Sequence, residues 1–430
     1  MRYAPIDPTL FTENRARLKA LMEKGTLAIV NANDILPTNA DGTLRLIQNA
    51  DLFYLTGVNQ EETILLLFPD AADEKHREIL FLRETSDLIA TWEGHKLTKE
   101  EARKRTGIKE VRWLADFPNF FRRLMCECSG VYLNSNEHSR ASIEVETRDA
   151  RFARETQARY PLHRYLRLAP LLHRLRIVKS AHEIDLIRKA CVLTEKGFRR
   201  AAKFTKPGVT ETEIEAELAH EFIRGGGGFA YEPIIAAGAN ACVLHYLDND
   251  QPCKKGQLLL LDIGASYANY MSDLTRTIPV SGRFSRRQKQ VYSAVLRVLR
   301  ETIRLAVPGK IHKDWQKEAE ALMEKELLDL GLLKKSEIKK QDSDKPAFKK
   351  YFMHGIGHPI GLDVHDVGVL SEPMQPGWVL TVEPGIYLKD EGFAVRLEDD
   401  ILLTDRGPVN LMENIPIEPD EIEDLMAKRK

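Results

Sequence analysis

The apolar positions in the second half of the chain recur at helical spacing, and each such run follows a polar capping pair. Ser180 and Glu183 have the spacing of a capping box, in which each side chain accepts a hydrogen bond from the other residue's backbone N–H. The apolar and semi-polar positions that follow are three and four residues apart, at Ile184, Ile187, Cys191, Thr194 and Phe198. This pattern predicts an amphipathic helix that ends before Pro207.

The same arrangement recurs further along the chain. Thr210 with Glu213 opens a second helix, Ser285 with Gln288 opens a third, and a fourth is predicted over about residues 313–330. The Pro-Gly pair at 207–208, which separates the first two helices, has a counterpart at 308–309 between the last two. We infer an internal duplication with a cleft between its two halves.

The first part of the chain has a different pattern. Strand-like apolar runs occur at 27–30, 63–68 and 79–82, and Thr12 is predicted to cap a helix that runs to about Lys24. A chain of 430 residues accommodates two domains. We therefore predict a mixed α/β domain over residues 1–172 and a second domain over residues 173–430. Trp92 in the first domain is either an aromatic residue that reaches the substrate site of a partner subunit or a half-buried surface residue.

Composition narrows the class of protein. The net charge of -1 gives no electrostatic argument for binding nucleic acid or an anionic membrane. No apolar run approaches the length of a membrane span, and the N-terminus lacks the apolar core of a signal peptide. The five cysteines form no CxxC pair, which favours a reducing compartment. These features predict a cytoplasmic protein.

Candidate chemistry begins with a histidine cluster in the sequence YFMHGIGHPIGLDVHD, residues 351–366. It contains His354, His358 and His365, interleaved with three glycines and a proline. Glycine and proline disfavour a helix here, so an extended or looped segment is predicted. Glycines beside imidazoles allow another backbone or a substrate to approach closely, which favours a functional over a packing role.

Two pairs of carboxylates accompany the histidines. Asp262 ends the buried run at 258–261, and a hairpin with its tip between residues 267 and 268 would place Asp273 directly opposite. Glu383 and Glu398 are related in the same way, about a tip between residues 390 and 391. Converging carboxylates repel one another unless they are protonated or bind cations.

Four carboxylates and one imidazole form a hard, oxygen-rich ligand set. Such a set suits two divalent ions, with manganese favoured and cobalt, iron or zinc also possible, better than it suits a thiolate zinc site. Two ions that share a water lower its pKa, and the resulting bridging hydroxide can attack a carbonyl carbon. The predicted reaction is hydrolysis.

With these motifs, the chain resembles the aminopeptidase P and prolidase group, whose pita-bread fold also occurs in methionine aminopeptidase. The family's order of ligands, Asp, Asp, His, Glu, Glu, falls on Asp262, Asp273, His358, Glu383 and Glu398. The resemblance implies an α+β protein, in which a pita-bread catalytic domain with pseudo-twofold internal duplication follows a smaller creatinase-like α/β domain. It further implies that Asp273 and Glu398 bridge the ions.

The resemblance also assigns roles around the metals. His245, His354 and His365 match the histidines that line the substrate pocket and steady the scissile carbonyl, and Glu383 matches the general base or proton shuttle. Arg396 and Tyr387 would hold the carboxylates in place, and Asp34 from the first domain would reach towards these supporting residues. Relatives are commonly dimers or tetramers, so a homodimer or homotetramer is expected.

The segment QNADLFYLTGVNQEETILLLFPD, residues 48–70, is more similar to aminopeptidase P than to prolidase. It implies release of the N-terminal residue from peptides with proline in the second position. Three alternatives stay open. They are a prolidase restricted to Xaa-Pro dipeptides, a metal-free creatinase, and a catalytically inactive peptide-binding protein with the same fold.

Overall fold

The structure, a computed structural model, describes residues 2–342 and 345–428. It divides into two compact units, one formed by Ala4–Arg176 and the other essentially by Ile177–Lys430. Among the described residues, no helix is both long and apolar enough to span a membrane.

The first unit is built on a six-stranded mixed sheet with the strand order β4-β3-β2-β1-β5-β6. Its strands are β1 (Thr26–Asn31), β2 (Ile64–Leu67), β3 (Glu78–Leu82), β4 (Glu110–Trp113), β5 (Gly130–Leu133) and β6 (Tyr165–Arg167). Its helices are α1 (Thr9–Leu21), α2 (Ala50–Thr56), α3 (Asp87–Glu93), α4 (Lys99–Thr106), α5 (Phe117–Glu127), α6 (Arg148–Arg159) and α7 (Ala169–Arg176). The three strands that were predicted from apolar runs are present as β1, β2 and β3.

The start of α1 differs from the prediction. Thr12 lies inside the helix, where its hydroxyl donates to the Pro8 carbonyl at 3.1 Å. The Asp7 carboxylate accepts from the Thr9 N–H at 2.9 Å, and Pro8 has the φ of -63° that a helix start requires. An Asp-Pro pair therefore begins the helix in place of the predicted threonine cap.

The second unit contains the two predicted helix pairs. They are α8 (Ala181–Phe204) with α9 (Glu211–Arg224), and α10 (Arg286–Leu305) with α11 (His312–Asp329). All three predicted capping boxes are formed, at the starts of α8, α9 and α10. Two shorter helices, α12 (Lys335–Ile338) and α13 (Pro419–Ala427), complete the α-helices of the described chain.

Antiparallel strands follow each helix pair. The first set is β7 (Gly228–Phe229), β8 (Ile234–Ala237), β9 (Leu258–Ile263), β10 (Ala265–Tyr267), β11 (Tyr270–Met271) and β12 (Leu274–Pro279). The second set is β13 (Val379–Val382), β14 (Gly385–Leu388), β15 (Phe393–Arg396), β16 (Asp399–Thr404) and β17 (Gly407–Asn410). Each half thus contributes two helices and a long hairpin.

The register of the first hairpin differs from the prediction. Its tip lies between Ala268 and Asn269, whose φ values of 51° and 68° are those of a tight two-residue hairpin turn. Asp262 consequently pairs with Thr275, and Asp273 lies diagonally from it on the same strand pair. A shift of two positions preserves the face on which a side chain lies, so the two acids stay neighbours.

The second hairpin has the predicted register. The β14–β15 ladder and the β13–β16 ladder share one register, in which Glu383 and Glu398 lie opposite each other between the two ladders. Gly392 adopts the left-handed conformation at the tip, with φ 70°. The histidine segment is extended, as predicted, and runs beside β13, where the Thr381 N–H donates to the His358 carbonyl at 2.9 Å.

Candidate metal centre

The two aspartates of the first hairpin face one another across a tyrosine. The Tyr231 hydroxyl lies 2.6 Å from Asp262 Oδ1 and 2.5 Å from Asp273 Oδ1. One O–H cannot donate to both carboxylates at once, so Tyr231 can donate to only one of them. Asp273 is buried, and its backbone N–H donates to Asp400 Oδ2 at 3.1 Å.

The second hairpin brings its carboxylate to the same place. Glu398 is 2% exposed, its Oε2 accepts from the Thr275 hydroxyl at 2.7 Å, and its N–H donates to the Thr275 carbonyl at 3.0 Å. Because Thr275 is the ladder partner of Asp262, this contact aligns acids from both hairpins in one row across the strands.

His358 completes the cluster. Its Nε2 lies 3.6 Å from Asp273 Oδ2 and 3.7 Å from Glu383 Oε1. One ligand atom each from Asp273, His358 and Glu398 lies within 4.8 Å of the others. The structure therefore brings the five predicted ligand side chains together, although they are separated by up to 136 positions in the sequence between Asp262 and Glu398.

The electrostatics of the cluster suit a cation. Burial, together with the neighbouring Asp262 and Asp400 carboxylates, raises the pKa of Asp273 well above its ordinary value. Burial and the nearby Asp273 and Glu383 do the same to the pKa of Glu398. Glu398 Oε1 is buried and has no hydrogen-bond partner among the described residues. A buried acceptor oxygen that lies among several carboxylates and receives no hydrogen bond is suited to binding a cation. The residues present therefore fit divalent metal ions.

A hydrogen-bonded chain leads from the cluster to His354. Arg396 donates from Nη2 to Asp262 Oδ2 at 2.5 Å and from Nη1 to the Tyr387 hydroxyl at 2.7 Å. The Tyr387 hydroxyl lies 2.8 Å from His354 Nε2, and His354 Nδ1 lies 2.8 Å from the Gly355 carbonyl. Since the Gly355 carbonyl can only accept, Nδ1 carries the proton of the neutral imidazole, and Nε2 accepts from the Tyr387 hydroxyl.

The surroundings of His354 keep it neutral. Burial and the Arg396 charge, with smaller contributions from Lys349 and His245, lower the pKa of His354 to about 3. The imidazole therefore acts as a neutral hydrogen-bonding group near neutral pH.

The remaining predicted histidines lie at the accessible edge of the cluster. His365 is exposed, and its ring packs edge-on against that of His358 with 4.3 Å between centroids. His245 is also exposed and is close enough to His354 to influence its pKa. His245 thus lies near the segment that contains His354, His358 and His365.

Two predicted site residues belong to the first unit. Asp34 forms a salt bridge with Arg151 within that unit, with 2.9 Å between Asp34 Oδ2 and Arg151 Nη2. Trp92 lies on α3 with 82% of its surface exposed, so of the two alternatives for this residue the structure excludes a half-buried side chain.

Several residues of the site were not predicted from the sequence. Tyr231 spans the two aspartates, Thr275 joins Glu398 to the first hairpin, and Asp400 accepts from the backbone of Asp273. The only signal for Asp400 was its place beside Glu398 in the run LEDD. Tyr231 and Thr275 are single polar residues near apolar strands and carry no motif of their own.

Family models and known proteins match both parts of the chain. The family model "Metallopeptidase family M24" matches residues 185–405, and "Aminopeptidase P, N-terminal domain" matches residues 11–132. The chain is 34% identical to the Xaa-Pro aminopeptidase of Haemophilus influenzae, over 97% of this chain and 96% of that protein. It is 33% identical to the Xaa-Pro aminopeptidase of Escherichia coli, over 98% of each.

Solved structures show the same fold. Zinc-substituted E. coli aminopeptidase P in complex with product superposes with a TM-score of 0.87 at 33% identity, covering 99% of this chain and 100% of that chain. Pseudomonas aeruginosa aminopeptidase PepP superposes with a TM-score of 0.89 at 32% identity, covering 99% of each chain. The predicted α+β fold, with a pita-bread domain after a smaller N-terminal domain, is confirmed. The chain belongs to metallopeptidase family M24, and its full-length relatives place it in the aminopeptidase P group of that family.

Proposed function

We propose that this protein is a metal-dependent aminopeptidase that hydrolyses the bond between an N-terminal residue and a proline in the second position. The observation that carries the proposal is the convergence of Asp262, Asp273, His358, Glu383 and Glu398 on one point, in a chain that belongs to the aminopeptidase P group.

The five converging side chains would hold two divalent ions. Bound ions would supply Lewis-acid activation of water and of the scissile carbonyl. The oxygen-rich donor set favours manganese, and cobalt, iron and zinc are the other candidates. The structure supports this assignment through the unpaired Glu398 Oε1 and the raised pKa values of Asp273 and Glu398.

The chain's own residues would bind and orient the substrate and move protons. Glu383 lies between His358 and His354, with 3.7 Å separating it from a ring nitrogen of each, and is placed to pass a proton towards the leaving nitrogen. Neutral His354, with His245 and His365, would line the substrate pocket near the scissile carbonyl. Arg396 and Tyr387 would hold Asp262 and His354 in their orientations.

A peptide panel tests the activity. We expect release of the first residue from Xaa-Pro-Pro peptides, loss of turnover with a chelator, and recovery when manganese is returned. The match of residues 11–132 to the aminopeptidase P N-terminal domain favours this activity over that of a prolidase. Cleavage of Xaa-Pro dipeptides alone would support the prolidase alternative, and the absence of any metal-dependent cleavage would overturn the proposal.

Two variants test the site itself. Asp262→Ala and Glu398→Ala should remove activity while leaving the circular dichroism spectrum unchanged. Asp405→Ala is the matched control, because Asp405 is an exposed aspartate in the turn that joins β16 to β17. Retained turnover in either site variant would refute the assignment.

We also propose a homodimer or homotetramer in which Trp92 of one protomer reaches the substrate site of its partner. The support is an exposed apolar face on α3, where Leu88 and Trp92 lie one turn apart and are 68% and 82% exposed. Light scattering after gel filtration gives the oligomeric state. Trp92→Ala should raise KM if the proposal holds.

A cytoplasmic location is proposed from the cysteines, all five of which are unpaired. A reducing compartment suits such a chain. Cell fractionation with a marker for each compartment tests this location.

A further inference from the structure

A buried carboxylate outside the metal cluster anchors the segment that carries His245. Glu211, the first residue of α9, is completely buried. Its Oε1 accepts from the Ala237 N–H at 2.7 Å and from Asn240 Nδ2 at 3.3 Å. Its Oε2 accepts from the Tyr246 hydroxyl at 2.8 Å and from the Gln251 N–H at 2.9 Å. One side chain therefore binds four donors.

These donors bracket His245. Residues 238–251, here called the His245 loop, connect β8 towards β9 and contain a single 3-10 turn at Gly238–Cys242. Two donors of Glu211 precede His245 and two follow it. The loop has little regular secondary structure of its own, so its conformation depends on side-chain contacts such as these.

The far end of the loop is fixed by a second buried residue. Asn249 adopts a left-handed conformation with φ 46°, its Oδ1 accepts from the Ile235 N–H at 2.9 Å, and its Nδ2 donates to the Pro233 carbonyl at 2.9 Å. Around the buried Tyr246, residues 243, 245, 247 and 248 form an exposed part of the loop. Within this part, Val243 and Leu247 are 54% and 47% exposed on either side of His245.

Hydrogen-bond donors and the positive end of the α9 helix dipole stabilise the charge of Glu211. In the chain as the structure describes it, no lysine or arginine forms a salt bridge with this carboxylate. Burial and the hydrogen bond to Glu211 raise the pKa of Tyr246, which therefore stays protonated and donates. A buried charge without a paired cation is costly unless every lone pair is used, and here each oxygen accepts twice.

We infer that Glu211 is a positioning residue for His245, holding the His245 loop so that the imidazole faces the substrate beside His354. The inference rests on the proposed function, since it takes His245 as a substrate contact. Loosening the loop would displace His245 while leaving the metal ligands, which lie on other segments, in place. Displacement of a substrate contact by about 1 Å can cost on the order of 100-fold in rate.

Two conservative variants of the same helix turn provide the test. Glu211→Gln replaces one acceptor oxygen by an NH₂ group that faces donors, and so loosens the loop. Glu213→Gln is the matched control, because Glu213 is an exposed acid in the same first turn and bonds only the Thr210 cap. Tyr246→Phe removes a single donor and should give a smaller effect in the same direction.

Hydrogen–deuterium exchange and kinetics are then compared on metal-loaded protein. In Glu211→Gln we expect faster amide exchange across residues 238–248, unchanged exchange in β9, unchanged metal content, and kcat/KM lower by roughly 10- to 100-fold. In a His245→Ala background the same substitution should cost less than threefold, because the group it positions is gone. A merely structural role would lower the unfolding midpoint without this dependence on His245.

The possible failures are distinguishable. If the wild-type chain cleaves no Xaa-Pro peptide, the proposed function is wrong. The comparison of hydrogen–deuterium exchange still decides whether Glu211 orders the loop. If the wild type is active and Glu211→Gln equals Glu213→Gln in both exchange and kcat/KM, the inference is overturned. An undiminished loss of activity in the His245→Ala background would overturn it as well.

Discussion

Thr275 and Glu398 are joined twice, through a backbone hydrogen bond of 3.0 Å and through a side-chain hydrogen bond of 2.7 Å. Thr275 belongs to the first hairpin and Glu398 to the second, so this pair connects the two halves of the catalytic unit at the carboxylate cluster. The Thr275 hydroxyl also accepts from Arg396 Nε at 3.3 Å.

We predict that Thr275→Val weakens metal binding. The substitution preserves shape but removes the donor that orients Glu398 Oε2, and loss of such a supporting contact typically costs about 10- to 100-fold in metal affinity. Isothermal titration with manganese measures the effect. Thr277→Val is the control, since Thr277 lies two residues further along β12 and its hydroxyl bonds the backbone of Arg396. Equal affinities in the two variants would contradict the prediction.

His354→Ala is predicted to lower the catalytic rate with metal still bound. His354 bonds Tyr387 and the Gly355 carbonyl and is not among the predicted ligands. Removal of one positioned hydrogen-bonding group in an active site typically costs about 100- to 1,000-fold in kcat. His182 is an exposed histidine at the start of α8, and His182→Ala should leave kcat unchanged. Unchanged kcat in His354→Ala, with metal content measured by elemental analysis, would remove His354 from the mechanism.

A buried ion pair supports the loop that carries His365. Lys179 Nζ lies 3.2 Å from Asp366 Oδ2, and the two side chains are 1% and 2% exposed. Lys179→Met would break this buried ion pair by removing one partner, which typically costs about 3–5 kcal/mol. The free energy of unfolding in urea should fall accordingly and recover in part in the double variant Lys179→Met, Asp366→Asn. Lys203→Met, an exposed position on α8, is the control.

Stability of the first unit is predicted to depend on Asp149 at mildly acidic pH. Burial, against hydrogen bonds from Asn31, raises the pKa of Asp149 from 3.8 to about 6. The folded state therefore binds more protons than the unfolded state between pH 4 and pH 6, and stability falls as the pH rises through that window. The shift corresponds to about 3 kcal/mol.

Comparison with Asp149→Asn isolates this effect. The difference in unfolding free energy, wild type minus variant, should decline by up to about 3 kcal/mol from pH 4 to pH 7. Asp87→Asn, at an exposed aspartate of the same unit, should show no such trend. A difference that is constant with pH would show that Asp149 is ionised throughout.

The sequence predicted those features that local chemistry determines. The capping boxes at Ser180, Thr210 and Ser285 form because each needs only residues three positions apart. The register between Glu383 and Glu398 was predicted correctly because Gly392 marks the turn. The register of Asp262 was wrong because the turn is formed by Ala268 and Asn269, and alanine gives no signal for a left-handed conformation.

Other features depend on contacts between distant segments. Tyr231 contacts residues 31 and 42 positions away, and Glu211 binds donors up to 40 positions away. Neither residue lies in a periodic pattern that would distinguish it from an ordinary surface tyrosine or a first-turn acid. The α1 start was missed for a simpler reason, because Thr12 competed with the Asp7-Pro8 pair as a helix start.

Because the carboxylates are divided between two hairpins, exchange of a bound cation would depend on transient separation of the two halves of the catalytic unit. Each hairpin supplies two of the four carboxylates, so a transient separation of Thr275 from Glu398 would dismantle the cluster. A bound ion would then be lost when the two halves separate. The rate at which a chelator removes metal from the protein would measure how often the two halves separate.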